Sequence, residues 1–145
     1  MKLQRYTHSS SGFTLMELLV VISIAMELMG IAIPSFLSWL PALRLSSAAR
    51  QVATDLQIAR MRAISRNAAN TVTFNTVTMT YTSTLGVGES RDIDQLYPGI
   101  TISVVTANPA FTARGTASPT GNITLSNGSA TKQVQVNPIG RVKIQ

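Results

Sequence analysis

Residues 12–26 read GFTLMELLVVISIAM, and this stretch decides how the chain is organised. A short polar leader ends at Gly12, Phe13 opens an apolar segment, and Glu17 is the fifth residue counted from Phe13. A charged side chain inside an apolar membrane span costs about 2.5–3.5 kcal/mol on insertion scales, so it needs a partner or a function. The stretch therefore indicates a membrane segment, and it marks Glu17 as a candidate functional residue.

The apolar segment is long enough to cross a membrane. Between residues 13 and 40 the only charges are Glu17 and Glu27, and about 20 apolar residues span a bilayer. Lys2 and Arg5 precede the segment without an acidic residue, so the positive-inside rule leaves the leader in the cytoplasm. We therefore expect the remainder of the chain on the other side of the membrane.

Two simpler interpretations fit less well. A secretory signal peptide has an apolar region of about 7–15 residues followed by small residues at the cut. Here the run is longer, and the best late cleavage pattern, at residues 47–49, lies beyond its end. A plain membrane anchor leaves Gly12, Phe13 and Glu17 unexplained.

The arrangement of Gly12, Phe13 and Glu17 closely resembles the amino terminus of type IV prepilins and type II secretion pseudopilins. The resemblance implies that a prepilin peptidase cleaves between Gly12 and Phe13, that Phe13 is then N-methylated, and that the apolar helix becomes a filament core. It also implies that Glu17 pairs with the methylated amine of a neighbouring subunit. Two apposed charges repay much of each other's burial cost in an apolar core.

These features predict a leader at 1–12, a transmembrane or filament-core helix at 13–42 and a periplasmic globular domain at 43–145. Pro34 and Pro41 fall inside the helix, where proline removes a hydrogen bond, so we expect either a kink or local melting. Glu27 departs from the family pattern. It either pairs with a basic group of another subunit or of the membrane machinery, or it is a tolerated oddity.

The second half of the predicted helix, residues 43–66, is amphipathic. Apolar residues at spacings of three and four share one face, namely Leu45, Ala49, Val52, Leu56, Ala59 and Ala63. Residues 55–67 read DLQIARMRAISRN, which is similar to the region that marks the GspH/FimT branch of pilins. We expect one helix from Phe13 to about Arg66.

Residues 70–145 are rich in threonine and valine and predict strands. The parity of apolar residues changes at 75–76, which predicts a tight turn or bulge before a strand with Val77, Met79 and Tyr81 on one face. Other strands are expected at 100–104, around Phe111, at 123–125 and at 134–136, with a hairpin turn at 127–128 and a final strand at 142–144. The predicted fold is α+β: a long N-terminal helix packed on an antiparallel sheet in one domain.

Composition argues against an enzyme. The chain has no cysteine and one histidine, His8, which lies in the leader. Without them, Ser-His-Asp or Cys-His catalysis and His-ligated zinc are unavailable to the processed chain, and we expect no cofactor and no metal. The acidic residues Glu89, Asp92 and Asp94 could bind calcium through oxygen ligands, but a solvated loop around Arg91 is the preferred interpretation.

The chain is basic, with a net charge of +6, which suits nucleic acid or anionic headgroups. Gly140-Arg141-Val142-Lys143 resembles the Gly-Arg-x-Arg ending of FimT-type pilins that bind DNA in natural transformation. Strand alternation places Arg141 and Lys143 on one face, where they either contact DNA or form a solvated edge. The other candidate contacts are Arg60, Arg62, Arg66, Arg114 and Lys132.

The resemblance therefore implies a minor pilin or pseudopilin that joins or primes a type IV pilus or a type II secretion pseudopilus. A FimT-like DNA-binding minor pilin is the alternative. The implied partners are prepilin peptidase, other pilins, the inner membrane and, in the alternative, DNA. The implied location is the inner membrane, crossed once, and then the filament.

Overall fold

The computed structural model describes residues 12–86 and 90–145. These residues form two helices and eight strands, which follow one another along the chain in this order: α1 (Leu15–Ser65), β1 (Asn70–Asn75), β2 (Thr80–Ser83), β3 (Arg91–Asp92), α2 (Ile93–Leu96), β4 (Thr101–Val105), β5 (Ala110–Phe111), β6 (Asn122–Ser126), β7 (Thr131–Val136) and β8 (Val142–Ile144). The prediction of an α+β fold is confirmed.

Helix α1 has defined ends. The backbone N–H of Glu17 donates to Thr14 Oγ1 at 3.2 Å, so Thr14 caps the first turn. At the other end, Asn67 adopts a left-handed conformation with φ 48, and the N–H of Ala68 bonds to the carbonyl of Ala63 at 3.1 Å. This is the hydrogen-bond pattern with which a left-handed residue closes a helix.

The helix runs without interruption through Pro34 and Pro41. Within the described residues of this single chain both prolines lie in helical backbone, and melting of the helix in a filament stays a prediction. Both prolines lie among exposed residues, so the carbonyls that they leave unpaired in the helix are not enclosed by the fold.

The chain divides into two compact units, the first ending at Ser38 and the second spanning Trp39–Gln145. All buried apolar residues of the described chain, from Leu45 to Val136, lie in the second unit. That unit holds a complete core and has what it needs to fold alone. In the first unit, by contrast, the large apolar side chains are exposed.

The strands of the second unit form two antiparallel four-stranded sheets, ordered β3-β2-β1-β5 and β4-β6-β7-β8. One cluster of buried side chains joins α1 to both sheets. The predicted apolar face of α1 is confirmed, since all six of its residues are buried, together with Ala48 and Ala53. Strand β8 is an edge strand that pairs only with β7 among the described strands.

The predicted turn after β1 is confirmed, but the strand that follows it is shorter than expected. Asn75 Oδ1 accepts the N–H groups of Val77 and Thr78 at 2.9 and 3.1 Å, which closes the turn. Met79 takes a left-handed φ of 55, and β2 begins at Thr80. Only Tyr81 of the three predicted strand residues lies in β2 and is buried, while Val77 is 86% exposed.

Strand β4 also departs from simple alternation. Ile102 is buried and pairs with Leu125, but the register with β6 shifts before Val104, which is 55% exposed. The bulge turns Val104 away from the core that the sequence assigned to it. The β6–β7 hairpin is confirmed, with Asn127 Oδ1 accepting the N–H of Ala130 at 2.7 Å and Gly128 at φ +86.

Candidate functional sites

The first candidate site is the start of α1. Phe13 is 82% exposed, and a Cβ added at Gly12 would meet no described atom within 4 Å. Thr14 and Glu17 have the spacing of a capping box, in which a glutamate three residues after the cap favours the first turn of a helix. The carboxylate also lies in the first turn, where the helix dipole favours negative charge. Thr14 supplies the observed cap, and the helix dipole favours the Glu17 carboxylate in this turn without any partner.

Helix α1 is long and apolar enough to cross a membrane, judged by length and composition, and no residue in the apolar window of the helix is buried. Exposure ranges from 42% at Ile22 to 77% at Ile31 among the large side chains between Leu15 and Ser38. Within the described residues no basic group lies within ion-pair distance of Glu17 or Glu27.

The second candidate site is a basic corner, formed by Arg60, Arg114 and Arg141. Arg60 Nε donates to the carbonyl of Gly115 at 2.8 Å, and Arg60 Nη2 donates to the carbonyl of Ile139 at 3.4 Å. One guanidinium on α1 thus contacts both the turn that holds Arg114 and the turn that leads to Arg141.

Two glycines let these turns approach each other. Gly140 has φ +75, and a Cβ there would collide with the Gly115 carbonyl and press on Arg60 Nε. Gly115 has φ +80, and a Cβ there would meet Ile64 Cδ1 at 2.8 Å. Arg114 and Arg141, each adjacent to one of these glycines, are both exposed. Among the described residues, none of the three arginines has a carboxylate partner.

The third candidate site is a groove between α1 and the strands β2 and β3, with a cavity of about 230 Å³. Asp55 lies at its base. Its carboxylate accepts the hydroxyl of Tyr81 and the side-chain amide of Gln51, the latter at 3.2 Å, and it forms an ion pair with Arg91, whose Nε lies 3.3 Å away. Burial and the hydrogen bond to Asp55 raise the pKa of Tyr81 well above its ordinary value. The tyrosine therefore remains a neutral donor.

A buried asparagine fixes one wall of this groove. Asn70 is fully buried, and its Nδ2 donates to the carbonyl of Ala59 at 2.9 Å. Its Oδ1 accepts from Ser83 Oγ, Thr84 Oγ1 and the N–H of Leu85, at 2.7, 3.1 and 2.9 Å. One side chain thus ties the end of β2 to α1.

A family model described as Type II transport protein GspH matches residues 48–140, well over half of the 145 residues. The chain belongs to the GspH family. The expectation of a pilin-like protein of the GspH/FimT branch is thereby confirmed.

Two crystal structures of the type IV minor pilin FimU from Pseudomonas aeruginosa share the fold of this GspH-family chain. Both are 19% identical to the chain and align with 70% of it, covering 92% and 87% of the FimU chains, with TM-scores of 0.54 and 0.55. At this identity the likeness establishes the fold alone. No curated protein matches the chain significantly.

The structure separates the basic residues that sequence analysis had grouped. Arg60 and Arg114 belong to the corner with Arg141, whereas Arg62 lines the groove. Lys143 lies in β8 opposite Gln135, while Lys132 lies on the opposite face of the β7–β8 pair and at its far end. Arg141 immediately precedes β8 and is exposed, as is Lys143. That Arg141 and Lys143 share a face stays a prediction.

The acidic residues of the predicted loop have local roles where the structure describes them. Asp92 caps α2 by accepting the N–H of Gln95 at 3.0 Å, and Asp94 accepts the N–H of Gly99 at 3.2 Å. Glu89 lies outside the described residues. Within residues 12–86 and 90–145, no group of three His, Cys, Asp or Glu side chains could hold a metal ion.

Sequence analysis missed Asn70, the Asp55–Tyr81–Arg91 cluster and the capping role of Thr14. The last had a signal, because Thr-x-x-Glu before an apolar run is a capping-box pattern. The first two had none, because they depend on which strand packs beside which turn of α1.

Proposed function

We propose that this GspH-family protein is a minor subunit of a type IV pilus or of a type II secretion pseudopilus. The observation that carries the proposal is the combination of a self-contained pilin-like domain with an apolar helical segment that is wholly exposed. An exposed apolar face of this size indicates a membrane or a protein surface that covers it. In this proposal the membrane covers the apolar segment before assembly, and neighbouring subunits cover it in the filament.

Maturation completes the proposal. A prepilin peptidase cleaves between Gly12 and Phe13, Phe13 is N-methylated, and residues 13–42 hold the chain in the inner membrane with residues 43–145 in the periplasm. Glu17 then pairs with the amine of a neighbouring subunit. The support for this maturation is the residue pattern at Gly12, Phe13 and Glu17, together with the exposure of Phe13.

Because Glu17 lies three residues after the cap, the experiment must separate its charge from its position in the capping box. Glu17→Gln retains the capping-box side chain but removes the charge, whereas Glu17→Ala removes both. If the carboxylate pairs with an amine, both variants insert into the membrane normally and both fall in the filament fraction relative to wild type. Asp94→Ala, which removes an exposed carboxylate from the globular unit, serves as the control and enters filaments normally.

Filament incorporation is measured by immunoblotting sheared or purified filaments against membrane extracts. A result in which Glu17→Gln enters filaments at the wild-type level contradicts the charge-pairing mechanism. If Glu17→Ala alone is impaired, the role of Glu17 is helix capping.

A second function, DNA binding in natural transformation, is favoured by the basic corner. Arg60 uses part of its guanidinium to hold the two turns. Arg114 and Arg141 belong to these turns, are exposed and have no described carboxylate partner. Arginines drawn from three parts of the chain form a more concentrated positive surface than the Arg141 and Lys143 pair alone. Such a surface would contact phosphates and bind DNA with little dependence on base sequence.

A gel-shift titration of fragment 43–145, which retains every buried core residue, tests this function. Arg141→Gln with Lys143→Gln is expected to weaken binding and to reduce the slope of log K against log salt by roughly 0.9 per lost contact. Arg44→Gln with Arg50→Gln removes the same charge from exposed positions on α1 and should have a smaller effect. Absence of salt-sensitive binding at low ionic strength excludes the DNA function.

A further inference from the structure

The groove beside α1 has no part in either proposed function. Its lining includes Asp55, Ile58 and Arg62 of α1, the buried Tyr81 and Ser83 of β2, and Arg91 of β3. The buried Asn70 fixes the position of Ser83, whose hydroxyl donates to Asn70 Oδ1. The groove is therefore built by packing and hydrogen bonds before any ligand enters it.

The charge of the groove favours an anion. The carboxylate of Asp55 is 13% exposed and is already bonded to Tyr81, Gln51 and Arg91. Arg91 uses only Nε for this contact, and its side chain is 51% exposed. Arg62 makes no side-chain hydrogen bond to any described residue. Because an arginine carries five N–H donors, both guanidiniums retain donors for a carboxylate.

The rim of the groove is apolar. A second, shallower depression shares Ile58 and Arg62 with the groove and continues over Met61 on the outer face of α1. Ile58 is 40% exposed and Met61 is 70% exposed. The two depressions form one surface in which guanidiniums stand beside uncovered apolar side chains.

We propose that this surface is a docking site for a segment of a partner protein in which a carboxylate side chain is flanked by apolar residues. The carboxylate binds Arg62 and Arg91, and the apolar residues cover Ile58 and Met61. A free small anion would leave the apolar rim uncovered. A phosphate backbone would likewise leave Ile58 and Met61 uncovered. The proposal concerns the globular unit alone and stands whether or not the chain enters a filament.

The test is an NMR titration of fragment 43–145 that follows the arginine Nε–H signals. The probe is acetyl-Leu-Glu-Leu-amide, and its matched control is acetyl-Leu-Gln-Leu-amide. Every protein carries Glu89→Gln, so that the carboxylate of segment 87–89, outside the described residues, does not compete. The glutamate peptide should shift the Nε–H signals of Arg62 and Arg91, and the glutamine peptide should not.

Variants separate the two halves of the surface. Arg62→Gln should weaken binding of the glutamate peptide roughly tenfold, the loss expected for one charge-assisted hydrogen bond. Met61→Ser should weaken it several-fold through the lost apolar contact. Arg50→Gln, an exposed arginine of α1 outside the groove, should leave it unchanged.

Three outcomes overturn the proposal. Equal shifts with both peptides, or none with either, remove the role of the carboxylate. Binding of acetate as tight as that of the glutamate peptide makes the groove a small-anion site. Stronger binding of a short oligonucleotide to this surface than to the basic corner makes it a nucleic-acid site.

Discussion

The two halves of α1 use apolar residues in opposite ways. Before Ser38 the helix presents large side chains that remain exposed, such as Leu15 at 76% and Ile31 at 77%. After Leu45 it presents small ones that are fully buried, such as Ala48, Ala49 and Ala63, each at 0%. Large exposed residues need a surface from outside the chain, whereas alanines let the chain's own strands approach the helix closely.

One continuous helix thus combines a segment of exposed apolar residues with a segment whose apolar face is buried in the core. The first half contributes no buried apolar residue to the core of the described chain. The second half is one wall of a domain whose buried residues include members of β1, β2, β4, β5, β6 and β7. Substitutions in the two halves should therefore affect different measurements, namely assembly for the first half and unfolding for the second.

The largest effect is expected at Asn70, whose replacement would remove one of the buried polar connections between α1 and the end of β2. Asn70→Ala leaves the Ser83, Thr84 and Leu85 donors without their buried acceptor, and should destabilise fragment 43–145 by about 3 kcal/mol. The control, Asn122→Ala, changes a half-buried strand asparagine with no described side-chain hydrogen bond and should cost under about 1 kcal/mol. Urea unfolding measures both, and equal losses would contradict the role of Asn70.

A matched alanine pair sharpens the comparison directly. Ala49→Leu forces a larger side chain into the closed contact between α1 and the sheets and should destabilise the globular unit by about 2 kcal/mol. Ala32→Leu adds the same atoms to the exposed half and should leave unfolding of that unit unchanged. Denaturant unfolding of the full chain in detergent micelles, followed by near-UV circular dichroism, compares them. Similar losses would show that the halves do not differ as described.

The smallest effect concerns Tyr81 and depends on pH. Tyr81→Phe removes the hydroxyl that donates to Asp55 and should cost about 1 kcal/mol at pH 7. Because burial raises the pKa of Tyr81 in the folded protein, the unfolded chain loses this proton first, near the ordinary value of about 10. The wild type should therefore lose stability above pH 10, by up to about 1.4 kcal/mol per pH unit more than the variant. Parallel pH profiles for the two proteins would contradict this assignment.

The sequence predicted the elements of the fold better than their edges. Spacing of apolar residues identified the buried face of α1 because a helix of regular period must repeat it. Val104 and Met79 were placed wrongly. Val104 follows a shift in the pairing of β4 with β6, and Met79 is a left-handed residue that ends the turn before β2. Neither feature is encoded in the alternation of apolar residues.

The candidate sites also differ in how much of them the sequence could predict. Gly12, Phe13 and Glu17 are adjacent in sequence, so their pattern was legible without a structure. The basic corner joins Arg60 to turns 55 and 79 residues away along the chain, and the groove joins Asp55 to Tyr81 across 26 residues. Only the folded chain brings these groups together, and Asn70, which holds one of them in place, looks in sequence like an ordinary strand residue.

Processing of the first half of α1 tests the proposed assembly role most directly. Intact-mass analysis of the protein extracted from membranes of cells with a prepilin peptidase should give a chain that begins at Phe13 and carries one added methyl group. Gly12→Leu should leave the full precursor in the membrane, because the peptidase needs a small residue before the cut. A wild-type chain that keeps residues 1–12, or that begins at any residue other than Phe13, would contradict the proposal that this GspH-family protein is a filament subunit.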